Sequence, residues 1–77
     1  GEYDFVYVDG DHTSTAVEVD ATNGWLRLKS GGILAFDDYL WSDQSDTPKP
    51  AVDKFLALYN NELIVLHHGY QVWVQKK

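Results

Sequence analysis

The sequence contains no cysteine and no methionine, only two prolines, and half as many basic as acidic residues. Without cysteine there can be no disulfide, no thiolate zinc site and no cysteine nucleophile, and a reducing, cytoplasmic setting is the expectation. Six Lys and Arg against twelve Asp and Glu leave a formal net charge of −6. That balance speaks against nucleic acid and anionic membrane as partners. No apolar run approaches the ~20 residues of a transmembrane helix, and no signal peptide is visible. There is no internal repeat, low-complexity tract or linker. The first residue is Gly1, and apolar strand patterning is under way by Tyr3; the expectation is a segment of a longer protein. At 77 residues the chain is one small domain, burying about 60% of the surface its unfolded form exposes.

What is present is a regular alternation of elements. Tyr3 to Val8 is a nearly continuous β-branched and aromatic run, which suits a strand buried on both faces, the habit of parallel sheets. Asp9-Gly10-Asp11 ends it as a turn. A helix follows, with Ser14 or Thr15 as its cap and Thr15 and Glu18 at capping-box spacing. Val17, Ala21, Trp25 and Leu28 recur at three- and four-residue steps and give it an apolar stripe. Gly24 inside that stripe costs about 1 kcal/mol relative to alanine. Lys29-Ser30-Gly31-Gly32 is expected to stop the helix.

Ile33 to Phe36 reads as a second strand ending at Asp37-Asp38, followed by a polar loop through Thr47. A second helix starts near Pro48 to Pro50, since proline is tolerated in a first turn. Val52, Phe55, Leu56 and Tyr59 form its apolar face, and Asn60-Asn61 stops it. Leu63 to Leu66 and Tyr70 to Val74 are a third and a fourth strand around a turn at His68-Gly69. The fold class is α/β, in the order β-α-β-α-β-β.

Strand, helix, strand with short connections implies a right-handed crossover and two parallel strands. Their C-terminal ends then share one edge, where open α/β sheets bind ligands. Asp9 closes the first strand and Asp37 and Asp38 the second, so on strands about 4.8 Å apart three carboxylates crowd together. Such a group needs protonation, solvation or a cation, and hard oxygen ligands suit Mg²⁺ or a similar divalent ion. Asp9, Asp37 and Asp38 are therefore the candidate metal ligands, although Asp37 or Asp38 could cap the loop and Asp9 accept backbone bonds. His12, three residues past Asp9, is the candidate general base. His67 and His68 read as turn and surface residues remote from that edge. Tyr39 and Trp41 either line a substrate pocket or pack under their own loop.

Three blocks carry a family resemblance. Tyr3 to His12, ending Asp9-Gly10-Asp11-His12, resembles the fourth strand and following loop of S-adenosylmethionine-dependent methyltransferases. Leu28-Lys29-Ser30-Gly31-Gly32 and the run to Tyr39 resemble their glycine turn and fifth strand. Gly69 to Val74 resembles their final antiparallel strand. Within that family the blocks are most similar to metal-dependent bacterial O-methyltransferases acting on macrolide sugars, and to catechol-type enzymes.

The resemblance implies a partial Rossmann-like domain over residues 1–77, corresponding to the family's C-terminal half. It implies a four-stranded mixed sheet in the order first, second, fourth, third, with the last strand antiparallel. It implies S-adenosylmethionine as cofactor of the full-length enzyme, a divalent cation at Asp9, Asp37 and Asp38, His12 as base, and a small-molecule hydroxyl acceptor. The family's donor-binding residues lie on a glycine-rich loop and a second strand that have no counterpart here, and no G-x-G pattern occurs. Donor binding and methyl transfer by these residues alone are therefore not expected. With the strand that would neighbour it missing, the Tyr3 to Val8 edge is expected to self-associate. Two other readings remain: a nucleotide-sugar glycosyltransferase using Asp9-Gly10-Asp11 as a metal-binding D-x-D, and a non-catalytic fold fragment.

Overall fold

The computed structural model describes residues 1–9, 13–42 and 46–77. Strand β1 (Tyr3–Val8) leads to helix α1 (Ser14–Arg27), strand β2 (Leu28–Phe36), helix α2 (Lys49–Leu58), a 3₁₀ turn (Asn60–Glu62), strand β3 (Leu63–His68) and strand β4 (Val72–Lys76). The strands form one mixed sheet in the order β1-β2-β4-β3, with β1 and β2 parallel and β4 antiparallel to both neighbours. This is the α/β sheet order expected from the sequence. Among the described residues no helix is long and apolar enough to cross a membrane.

Both helices pack on one face of the sheet. Val17, Ala21 and Trp25 of α1 and Ala51, Val52 and Phe55 of α2 close over Val8, Leu34, Phe36, Val72 and Val74. Four aromatic rings organise this core. Phe55 meets Trp25 and Phe36 edge-on with centroids 5.3 Å apart in each pair, and lies 4.8 Å from Tyr59. Tyr59 in turn lies 5.2 Å from Trp25.

Local chemistry departs from the sequence reading at several points. The α1 cap is Thr13, whose hydroxyl accepts from Ala16 N at 3.3 Å. Ser14 is instead tied to the segment before α2: its N–H donates to Asp46 at 3.0 Å and its hydroxyl to the Thr47 carbonyl at 2.6 Å. The two glycines do not stop the helix either. Leu28 already begins β2, and Tyr3 pairs with Leu28 while Phe5 pairs with Ile33. Residues Lys29 to Gly32 therefore bulge out of the ladder, with Gly31 at φ +86°, a conformation glycine adopts without steric cost. β3 runs on to His68, and β4 begins at Val72, leaving Tyr70 in the turn.

Gly24 stays in the helix because α1 rides close to the sheet. A Cβ at this position would stand 2.6 Å from Val6 Cγ1 and 3.5 Å from Leu34 Cδ1. The helical preference for alanine, about 1 kcal/mol, opposes an overpacking cost of about 1–3 kcal/mol. Gly24→Ala is thus expected to lower the denaturant midpoint, and Val6→Ala in the same chain to recover part of the loss. A single variant more stable than the parent would show that the helix lifts off freely.

Candidate active site at the carboxyl edge of the sheet

The row Val8, Phe36, Val72 and His68 crosses all four strands at one end of the sheet. Beyond it the parallel ladder closes with Asp37 N donating to Val8 O at 3.1 Å, which sets Asp37 beside Asp9. Successive strand residues normally face opposite ways. Asp38 breaks that alternation by taking φ 56°, a left-handed conformation that Asp tolerates better than most residues. The turn brings the second acidic side chain round to the first. Asp9, Asp37 and Asp38 each offer a carboxylate oxygen, and these atoms lie within 4.8 Å of one another. Asp9 is exposed and the other two are half-buried.

The antiparallel hairpin supplies the next layer. Gln71 Nε2 donates to Asp37 Oδ1 at 3.2 Å and to the Tyr7 hydroxyl at 3.0 Å, while Gln71 Oε1 accepts from the Trp73 indole N–H at 3.2 Å. The indole can only donate and the carboxylate can only accept, so a single amide orientation satisfies both. The Tyr7 phenol is held above the usual value by desolvation and by the charges of Asp37, Asp9 and Asp38. Tyr7 therefore keeps its proton across the physiological range.

The loop after Asp38 is anchored from below. Tyr39 is buried, its N–H donates to Tyr70 O at 2.7 Å, and its hydroxyl donates to Asp53 of α2 at 2.5 Å. Lys49 bonds the other Asp53 oxygen at 2.8 Å and lies 5.3 Å above the Tyr39 ring. Desolvation pushes the Asp53 carboxyl up, but hydrogen bonds from Lys49 and Tyr39, with the Lys49 and His68 charges, outweigh it and its pKa falls below the usual value. Tyr39 thus packs under its own loop. Trp41, half-buried, donates its N–H to Asp38 O at 3.0 Å and closes the turn.

One sequence expectation is corrected here. His67 and His68 are not remote from the acidic edge. β4 is antiparallel to both neighbours, so β3 runs parallel to β2 and ends at the same edge. His68 lies edge-on against Tyr39 with centroids 4.9 Å apart. Tyr7 and Gln71 are not singled out by the sequence. The expected strand order already places the hairpin turn beside the end of β2, and that signal points to Gln71. His12, the candidate base, and Asp11 of the D-x-D reading lie outside the described residues.

The parallel β-α-β unit sets these acidic side chains at the edge where open α/β sheets generally take their ligands. The family model for a methyltransferase domain matches residues 1–39, which span β1, α1, β2 and all three clustered carboxylates. The chain belongs to this methyltransferase-domain family. No curated protein matches the sequence.

Proposed function

We propose that these residues are the acceptor-side half of a metal-dependent O-methyltransferase acting on a hydroxyl of a small molecule. The observation that carries this reading is the convergence of Asp9, Asp37 and Asp38 within 4.8 Å inside the family-matched segment. The donor set fits a hard divalent cation such as Mg²⁺, because it is all oxygen, anionic and open to solvent on the Asp9 side. Asp9, Asp37 and Asp38 would hold the ion, which when bound lowers the pKa of an acceptor hydroxyl. Gln71 holds Asp37 by a hydrogen bond to Oδ1 and bonds the Tyr7 hydroxyl with the same amide. His12, three residues beyond Asp9, is positioned by sequence to accept the hydroxyl proton.

S-adenosylmethionine does not find a fitting surface among the described residues. There is no glycine-rich G-x-G loop, and the Gly31 bulge lies at the opposite end of β2 from Asp37. The donor-binding half is accordingly assigned to residues outside these 77, and no step is derived through the donor.

The test uses Tyr7 as a reporter. Its phenol is raised partly by three negative charges; a cation bound among them cancels that field, so its ionisation should move down toward the ordinary tyrosine value. Tyrosine ring NMR signals followed through alkaline titration, with and without Ca²⁺ as a soluble hard cation, should show Tyr7 alone shifting. At neutral pH, Mg²⁺ should perturb the amides of Asp9, Asp37, Asp38 and Gln71 selectively. An unmoved Tyr7 midpoint together with uniform, non-saturating amide shifts would sink the metal reading.

A further inference from the structure

We infer that Tyr39 and Asp53 form a positioning pair for the acidic edge, holding Asp38 in the turned conformation that brings its carboxylate to Asp9 and Asp37. Asp53 lies on α2, beyond the family-matched residues 1–39. The use of the cluster as a cation site rests on the function proposed above; the hold on Asp38 does not.

The need for such a pair comes from the backbone. Asp38 has φ 56°, where the Cβ of an L residue crowds the following carbonyl. Released, the residue would relax to an ordinary negative φ, and its side chain would turn away from the cluster. The bond from Trp41 N to Asp38 O, at 3.0 Å, spans only the turn itself and moves with it. The ties to the rest of the fold run through the next residue. Tyr39 N–H donates to Tyr70 O of the hairpin at 2.7 Å, and its hydroxyl donates to Asp53 on α2. Tyr39 is 4% exposed, and its ring sits edge-on to His68 of β3. Three parts of the fold thus grip the residue adjoining Asp38. Rotation at Asp38 would have to drag a buried ring out of their hold.

Asp53 is the member that ordinary surface chemistry does not explain. Its side chain is 45% exposed, and Lys49, one helical turn earlier, pairs with it at 2.8 Å. As an exposed i,i+4 ion pair, that contact alone stabilises the helix only slightly. The two carboxylate oxygens are divided, however. Lys49 takes Oδ2, and Oδ1 is left for the Tyr39 hydroxyl, 14 residues back in the chain. The lysine orients the carboxylate, and the carboxylate holds the phenol. A phenol donating to a carboxylate makes a charge-assisted bond, stronger than one between neutral partners.

Because Asp53 is exposed, and Tyr39 can lose its hydroxyl while keeping its ring, the pair can be broken with the core intact. In the metal-free chain NMR reads the Asp38 backbone: a left-handed residue gives an unusually strong intraresidue cross-peak between its amide proton and Hα. Tyr39→Phe and Asp53→Ala should weaken that cross-peak and shift the Asp38 amide. Asp53→Asn, whose amide oxygen still accepts from the phenol, should keep most of it. Lys54→Gln, which removes the ion pair to Glu18 elsewhere on α2, should leave Asp38 unchanged. Mg²⁺ affinity should fall about 10–100-fold in Tyr39→Phe and Asp53→Ala, the range for loss of an outer partner of a metal ligand.

An Asp38 cross-peak at parent strength in either Tyr39→Phe or Asp53→Ala would overturn the inference. So would an equal loss in Lys54→Gln, which would mark general loosening of α2. Loss of the cross-peak with unchanged Mg²⁺ affinity would support the positioning and remove Asp38 from the ligand set. If the parent itself does not respond to Mg²⁺, the proposed function fails, and the cross-peak alone decides the role of Tyr39 and Asp53.

Discussion

Phe55→Ala is expected to remove about a third or more of the chain's folding stability. Phe55 is 5% exposed and joins three rings from three elements: Trp25 on α1, Phe36 on β2 and Tyr59 after α2. Removing a buried phenylalanine costs about 3–5 kcal/mol. A domain of this size holds only about 4–12 kcal/mol, from roughly 0.05–0.15 kcal/mol per residue. Relaxation into the hole is limited, because Phe36 is fixed in the middle of the sheet and Trp25 is pinned by Lys76, which lies 5.0 Å over its ring and donates to Trp25 O at 2.8 Å. Phe55→Leu keeps much of the volume and should cost less than half as much. Denaturant unfolding followed by tryptophan fluorescence measures both, since Trp25 reports on the cluster directly. A melt within experimental error of the parent would mean that α2 is not an integral part of the cooperative unit.

The elements of this fold are legible because each carries its own periodic signal. The Val17-Ala21-Trp25 stripe and the Val52-Phe55 face appear in the core in the roles their spacing gives them; β1 is a strand as expected but is not buried on both faces, since only Val8 is buried and Tyr3, Phe5 and Tyr7 are exposed on the face without helices. What misleads is punctuation. Thr13, Ser14 and Thr15 are chemically almost equivalent as caps, and the choice of Thr13 is tied to a distant event, the docking of Ser14 against Asp46 and Thr47. Gly31-Gly32 has the composition of a helix stop, yet Leu28 is drawn into the sheet by pairing with Tyr3, and the glycines become a bulge. Gly24 looks like a cost to the helix until the approach of Val6 is known.

The candidate site divides the same way. Asp9, Asp37 and Asp38 stand out in the sequence because strand ends and acidic residues coincide, and parallel pairing does the rest. Tyr7 and Gln71 do not stand out. A tyrosine within an apolar strand reads as packing, and a glutamine after a turn reads as surface. Their role at Asp37 arises only when β4 inserts next to β2 and returns the hairpin to the acidic edge. The same insertion brings His68 onto Tyr39.

Asp37→Asn and Asp9→Asn are expected to make the metal-free chain slightly more stable and to abolish its response to Mg²⁺. In the absence of a cation the three carboxylates only repel one another. At these separations, with Asp9 exposed and Asp37 and Asp38 half-buried, each like-charge pair costs on the order of 1 kcal/mol. Neutralising one member should raise the metal-free melting temperature by a small amount. In Asp37→Asn the new amide oxygen can still accept from Gln71, so the hydrogen bond at 3.2 Å has a replacement. Cation affinity should fall about a hundredfold or more, given that loss of an outer partner of a metal ligand alone costs about 10–100-fold. Gln71→Leu should fall within that smaller range, because it frees Asp37 without removing its charge. The opposite signs separate this reading from a purely structural one. A carboxylate that serves only to cap a loop loses stability when neutralised, as Asp46→Asn should through its bond to Ser14 N. Thermal melts of the four variants with and without Mg²⁺ decide between them. If Asp37→Asn behaves like Asp46→Asn, losing stability with no change in cation response, the acidic edge is turn chemistry and holds no ion.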